Sequence, residues 1–420
     1  MYLQTLKNEL KPALGCTEPI AIALAVSKAK DLIKEEIKKI ELEVSPNVIK
    51  NAMGVGIPGT DMIGINIAAL LGFVAGNSEK GLRVLEDINE NDIKKAISIK
   101  EKNIIKLNKY EGDKKLFIEA RLYCENENAV VRIENLHDTV TYISHNGVEL
   151  FKEAEEVFKN GEQKSNLLKL EDIYEFALNA NVEDLKFLYD GVKLNMDLAK
   201  DGLTKDRGLK AGKTYSNNIE KGYLSKDFKN ISVMNVAAAV DSRMAGSPLP
   251  AMSNSGSGDQ GITAIVPVYS AWKELGLDEE HLLRALALSN LIPIHIKHSL
   301  GRLSALCGAT IASIGVSVAI TYMLGGDFNT MKRAINNNIG GLAGLFCDGA
   351  KNSCALKAAN SVDAAFTSAF CAMDGNGVTG LEGIVDDDPQ KSILNLTNLG
   401  KDSMLNVDRD ILEIMIKKFN

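Results

Sequence analysis

Histidine is scarce in this chain: His137, His145, His281, His295 and His298 are the whole supply in 420 residues. No HExxH or His/Cys zinc spacing occurs, so zinc-dependent hydrolysis has no support. There is no GxSxG elbow for a serine nucleophile and no recognisable lysine motif for pyridoxal phosphate. Blocks of like charge are also missing. The 48 Lys and Arg alternate with 55 Asp and Glu for a net charge of -7, which excludes nucleic acid as the expected partner. The opening segment MYLQTLKNELKPALG holds no apolar run behind basic residues, so no secretory signal is expected. The most membrane-like stretch, residues 309–326, is uncharged but rich in Ala, Ser, Thr and Gly, and short for a bilayer. It reads as a buried helix packed through small residues, and no membrane association is expected. Cysteine is sparse too: six in the chain, unlike a secreted disulfide framework, which points to a reducing, cytoplasmic setting.

What is present is ordinary globular composition, 45% hydrophobic and 25% charged, long enough for two or three domains. A chain of this size needs no metal to stay folded, so any metal site is functional. Residues 18–36 and 60–76 have helical spacing. KIELEV (39–44), KLFIEARLYC (115–124), AVVRIENL (129–136) and TVTYISH (139–145) carry strand patterns. After the polar stretch 161–169 the runs 171–204, 228–243, 262–275, 279–291, 302–324, 327–339, 351–372 and 408–419 favour helix, with Pro293 ending the run from 279. The expected fold is α+β: an N-terminal α+β domain (1–165) with a short, mainly antiparallel sheet, then a larger all-helical domain (166–420).

Two segments match GxGxxG, at Gly54, Gly56 and Gly59 and at Gly256, Gly258 and Gly261. Neither fits a dinucleotide site, because the first contains Pro58 and leads into helix, and the second follows AGSPLPAMSNS, which does not read as a strand. SNSGSGDQG (253–261) can instead present backbone N–H groups to an anion such as a carboxylate, or be a plain glycine turn. The segment 211–214 (AGKT) resembles a Walker A ending, but Arg207 stands where the first glycine is required. His295 and His298, with Lys297 and Arg302, form either a carboxylate-binding face or a solvated one.

The cysteines are more informative. Continuous helix would separate Cys347 and Cys354 by about 10 Å, but Asp348, Gly349, Asn352 and Ser353 favour a turn that brings both sulfurs to one group. Cys307 lies well before them in the chain, at the start of the small-residue helix. Three converging thiolates without an obvious fourth ligand suit an iron–sulfur cluster with one open iron better than zinc, the alternative being unrelated buried cysteines.

Five blocks in order, GCTEPIAIALA (15–25), SPNVIKNAMGVGIPGT (45–60), SNSGSGDQGITAIVPV (253–268), LIPIHIKHSLGRLSALCGA (291–309) and GLAGLFCDGAKNSCALKAANS (341–361), resemble the pyridoxal phosphate-independent L-cysteine desulfidases. The helical half is more distantly similar to the alpha chain of iron–sulfur L-serine dehydratases. The resemblance implies a [4Fe–4S] lyase that eliminates hydrogen sulfide from L-cysteine, leaving pyruvate and ammonia. It implies Cys307, Cys347 and Cys354 as cluster ligands and matches Cys16 to the family's N-terminal cysteine. In the serine dehydratases the last two cluster cysteines stand further apart. Cys124 and Cys371 match nothing and are expected to be structural. A carboxylate clamp is expected from Ser255, Gly256, Ser257 and Gly258, with Asn51 and Arg302 as further candidates. The rival readings are an iron–sulfur L-serine dehydratase, a non-catalytic iron–sulfur redox or metabolite sensor, and a structural zinc site on the three cysteines. The expected partner is a small amino acid, and a homo-oligomer is compatible with this reading. Cys16 is expected just outside a helix capped by Thr17, where the helix dipole favours a thiolate and Glu18 opposes it, acting as catalytic group or fourth ligand.

Overall fold

The computed structural model describes residues 1–153, 168–301 and 304–418. Most of the polar stretch expected between the two halves therefore lies outside the described residues. In chain order the first half contains α1 (Tyr2–Glu9), β1 (Leu10–Leu14), α2 (Thr17–Lys30), β2 (Lys39–Val44), α3 (Pro46–Ala52), α4 (Ile65–Ala75), α5 (Glu90–Glu101) and β3 (Ile105–Lys109). Then follow β4 (Phe117–Tyr123), β5 (Asn128–Glu134), β6 (Val140–His145) and β7 (Val148–Lys152). The six strands β2 to β7 form one sheet in the order β3-β2-β4-β5-β6-β7, antiparallel except for the β2/β3 pair.

Alternation explains the sheet. Ile40, Leu42 and Val44 of β2 and Ala129, Val131 and Ile133 of β5 point to one face and are buried there, while Glu41, Glu43 and Arg132 between them turn to the other. α2 covers the buried face and is in turn covered by α4, which is why its sequence is apolar nearly all round. Gly72 of α4 makes this possible, since a Cβ there would run into the backbone of Ala23.

The second half is helical: α6 (Leu170–Asn179), α7 (Val182–Leu185), α8 (Leu188–Thr204), α9 (Ala211–Glu220), α10 (Phe228–Met244), then β8 (Pro250–Asn254) and α11 (Gly258–Leu275). The chain continues as α12 (Glu279–Leu300), α13 (Gly308–Met323), α14 (Phe328–Leu342), α15 (Cys354–Met373), α16 (Pro389–Asn398) and α17 (Leu405–Lys417). α10 packs against α8, α11 and α15. α13, the membrane-like stretch, is buried on all sides, and among the described residues no helix is long and apolar enough to cross a membrane.

Two sequence expectations need correction. Pro293 does not end its helix: α12 runs on to Leu300. A proline removes the hydrogen bond to the carbonyl four residues back, that of Ser289, and its ring crowds it. Gly315 of α13 lies against this spot, where a Cβ would stand 2.5 Å from Ser289 O and 2.8 Å from Pro293 Cδ. The segment before the glycine turn, moreover, is a strand: β8 pairs antiparallel with β1, from the very start of the chain, in a register running from Leu10↔Asn254 to Leu14↔Pro250. Through that pairing the first residues of the chain join the helical half, and Leu6, Leu10 and Cys16 belong to its core. Reciprocally, Leu412 of α17 packs into the core under the sheet. The first GxGxxG segment is a joint between halves: Gly56 N–H donates to Met244 O (3.1 Å) and Gly59 N–H to Gly246 O (3.0 Å).

Candidate active site

A cavity of ≈ 100 Å³ opens where the halves meet. Cys307, Cys347 and Cys354 line it together with Cys16. Their convergence has a local cause. Leu306 and Phe346 form an antiparallel bridge, with Cys307 N–H donating to Leu345 O (3.2 Å) and Cys347 N–H to Ala305 O (2.7 Å), so two segments separated by the whole of α13 and α14 run side by side. The chain then turns through Gly349, whose φ of +90° suits glycine and whose Cα lies against the backbone of Lys50, and delivers Cys354 as the first residue of α15. Lys357, one turn further, donates to Phe346 O (2.9 Å) and pairs with Asp348, which fixes the turn.

Four helix N-termini meet at this cavity: Cys16 caps α2, Ser257 caps α11, Cys307 caps α13, and Cys354 begins α15. Each carries unpaired backbone N–H groups and a partial positive charge, so the cavity favours anions. Burial pushes the Cys307 thiol up to about 12, with the neighbouring Cys347 adding to this and the Ala309 and Thr310 N–H groups pulling down. Burial raises Cys354 as well. Cys16, also at about 12, is governed by burial rather than by the helix dipole. The Arg243 guanidinium beside it lowers the value, and Glu18 and Asp259 raise it. The helix start is also shifted by one residue from expectation, with Cys16 the cap and Thr17 already helical.

The glycine turn stands in the same cavity through Ser255, Gly256 and Ser257. Ser255 (φ +51°) and Gly256 (φ +80°) are left-handed, and Asn254 and Ser257 exchange two backbone hydrogen bonds of 3.0 Å across them. Ser255 N–H donates to Glu9 O, so this N–H and that of Ser257 are unavailable to a ligand. Among the described residues Gly256 N–H has no acceptor. Gly258 does not line the cavity; the Arg243 guanidinium lies flat against it, where a Cβ would collide. Arg243 donates to Asp259 Oδ1 (2.7 Å) and to Gly15 O (2.8 Å), tying the Cys16 loop to α10 and α11.

Asn51 reaches the cavity from α3 and donates to Glu18 Oε1 (2.7 Å). Glu18 and His137 line it as well, and neither was singled out as a site residue by sequence; they come from separate segments with no motif between them. Burial raises the Glu18 carboxyl, but the neighbouring His137 ring and the hydrogen bond from Asn51 prevail and hold it at about 2. Arg302 lies outside the described residues. The His295 and His298 face is corrected: His295 is fully buried with Nε2 3.1 Å from Gln390 Oε1, and His298 is exposed, while Lys297 between them reaches the cavity lining. Cys124 and Cys371 are outside the cavity, the first near Glu35 O (3.6 Å) and the second exposed. All six cysteines are free thiols.

Residues 79–413 match the family model described as serine dehydratase alpha chain. Over its full length the chain is 44% identical to a UPF0597 protein of Clostridium perfringens, covering 98% of that relative. It is 40% identical to a UPF0597 protein of Oleidesulfovibrio alaskensis and 41% identical to one of Bacteroides thetaiotaomicron, each alignment covering 99% of this chain and 98% and 97% of the relative.

Proposed function

Because the chain belongs to the serine dehydratase alpha chain family, we propose that it is a lyase that removes a β-substituent from a small α-amino acid, with L-cysteine the substrate and hydrogen sulfide, pyruvate and ammonia the products. One observation carries the reading: four cysteines from three distant segments and the 255–257 turn line one cavity. Cys307, Cys347 and Cys354 would hold a [4Fe–4S] cluster. The fit is chemical. Three thiols face one space, and the helix N-termini at Cys307 and Cys354 together with Lys357 offset the negative charge that thiolates and sulfides bring.

When bound, the cluster supplies a Lewis acid for the departing sulfur. The chain's own residues do the rest. Gly256 N–H and the Ser257 hydroxyl hold the substrate carboxylate at the start of α11. Cys16 exchanges the proton at Cα, with Arg243 beside its sulfur to offset the charge of a thiolate. The Cβ–S bond breaks within this cavity, and the released aminoacrylate hydrolyses in solution.

The family description favours a second reading, L-serine as substrate with hydroxide as leaving group. Anaerobic purification with iron and sulfide quantitation, followed by parallel assays with L-cysteine and L-serine, tests both. Sulfide release from L-cysteine at a higher kcat/KM than pyruvate release from L-serine supports the first reading and the reverse order the second. Iron-loaded protein that turns over neither overturns the lyase reading.

A further inference from the structure

At the sheet-half end of the cavity stand three groups that can accept hydrogen bonds and have too few donors. Glu18 is 7% exposed; its Oε2 accepts from Thr17 and its Oε1 from Asn51 Nδ2. A carboxylate oxygen only accepts, so the Asn51 amide must turn its nitrogen toward it, which fixes Oδ1 on the other side. That Oδ1 is buried and without a partner, and so is Nε2 of His137, a residue 5% exposed, whose ring nitrogen lies 3.7 Å from Glu18 Oε1. Buried polar atoms are rarely left unmatched, and two of them around one carboxylate point to a ligand. The nearby guanidinium of Arg243 does not fill this need, since Asp259 already holds it at 2.7 Å.

We propose that Glu18, Asn51 and His137 form a socket for the α-ammonium group of the substrate. An ammonium carries three N–H donors and one positive charge. The socket offers three acceptors, the Glu18 carboxylate, Asn51 Oδ1 and Nε2 of a neutral His137 that carries its proton on Nδ1, and one negative charge. The socket gives a specificity that the thiols cannot: it selects α-amino acids over thiols and acids that lack the amine, because a neutral group there leaves all three acceptors unmatched. It also orients Cα, since an amino acid held at its ammonium by the sheet half and at its carboxylate by the 255–257 turn presents its β-substituent to the cysteines. This inference rests on the amino-acid lyase reading.

The test uses ligands that cannot react. L-alanine has ammonium and carboxylate but no leaving group, and propionate lacks the ammonium. In calorimetric titrations of the anaerobically reconstituted protein, L-alanine binds at least tenfold tighter than propionate. Glu18→Gln removes that advantage, and Asn51→Leu, which retains the carboxylate, reduces it severalfold, so the socket can be judged even if Glu18→Gln does not fold. Equal binding of L-alanine and propionate to the parent protein, or an undiminished preference in a folded Glu18→Gln or Asn51→Leu protein, overturns the socket. L-alanine selectivity without turnover of L-cysteine or L-serine supports the socket and overturns the lyase reading. Turnover with an unchanged KM in Glu18→Gln overturns the socket and leaves the lyase reading standing.

Discussion

The two halves of the molecule furnish the cavity with opposite chemistry. The sheet half contributes a buried carboxylate, an amide oxygen and an imidazole at Glu18, Asn51 and His137, groups that receive protons or cations. The helical half contributes thiols and the N-terminal ends of α11, α13 and α15, which favour anions. A zwitterion with an electronegative β-substituent has the same polarity along its length. In the proposed reaction this difference sorts the three substituents of a small amino acid before any bond is broken, with Cys16, at the seam, facing the carbon between them.

Removing a thiol from the helical wall breaks this contrast most severely. Cys307→Ser and Cys354→Ser should each lose most of the bound iron, measured per protein chain after anaerobic reconstitution, and reduce sulfide release by at least about a thousandfold. Full iron content in both variants would remove these residues from the ligand set. At the seam the expectation differs. Cys16→Ser should retain iron held by the other three cysteines yet lower kcat by roughly 10²–10⁴, the range for loss of a proton-transfer group. An unchanged rate would take Cys16 out of the reaction.

Lys50 sharpens the comparison because it crosses it. It belongs to α3 of the sheet half and is 2% exposed, with Nζ 2.5 Å from Asp408 Oδ1 of α17 and 3.0 Å from the carbonyl of Cys347. One buried cation thus fixes both the last helix and the cysteine turn. Lys50→Met strands a buried Asp408 and should destabilise the fold by about 3–5 kcal/mol in urea titrations, whereas Lys50→Met with Asp408→Leu should recover much of that loss. If the single and double variants are equally unstable, the hydrogen bond to Cys347 matters more than the ion pair.

How much of this could be read from the sequence follows from the range of each signal. β2, β4, β5 and β6 were legible because Ile40, Leu42, Val131 and Ile133 alternate with polar residues, and α13 because small apolar residues run without charge. The turn between Cys347 and Cys354 was legible from Asp348, Gly349, Asn352 and Ser353. β1 and β8 were not, since LKPAL and PAMSN each contain proline, lack alternation and find each other across more than half the chain. α9 and α16 are amphipathic but only 10 residues long each and polar on average, so shortness rather than lack of periodicity hid them. Glu18 and His137 carry no local pattern at all. They meet only because the first turn of α2 and the loop between β5 and β6 end at the same place, which packing decides and spacing does not.

The smallest effect separates a buried histidine that holds structure from one that lines the cavity. His295 of α12 lies in the helical core, where burial brings its pKa down to about 4; the Gln390 hydrogen bond works against this and the charge of His298 with it. An unfolded histidine titrates near 6.5, so as pH falls from about 6.5 to 4 the unfolded chain takes up a proton that the fold refuses. Stability then declines by up to about 1.4 kcal/mol per unit and levels off below 4. The Asp241 carboxyl, pushed up to about 6 by burial against the opposing pull of the Gly212 and Leu209 N–H groups, acts in the other direction by gaining a proton in the fold first. The profile of the parent protein is therefore flattened, and the difference between two proteins is the useful quantity. His295→Gln, measured by urea titration at pH 7 and pH 5, should gain roughly 2 kcal/mol relative to the parent on going to the lower pH. A difference that does not change with pH would mean that His295 is protonated equally in both states, and the acid response of the helical half would then have to come from its carboxylates.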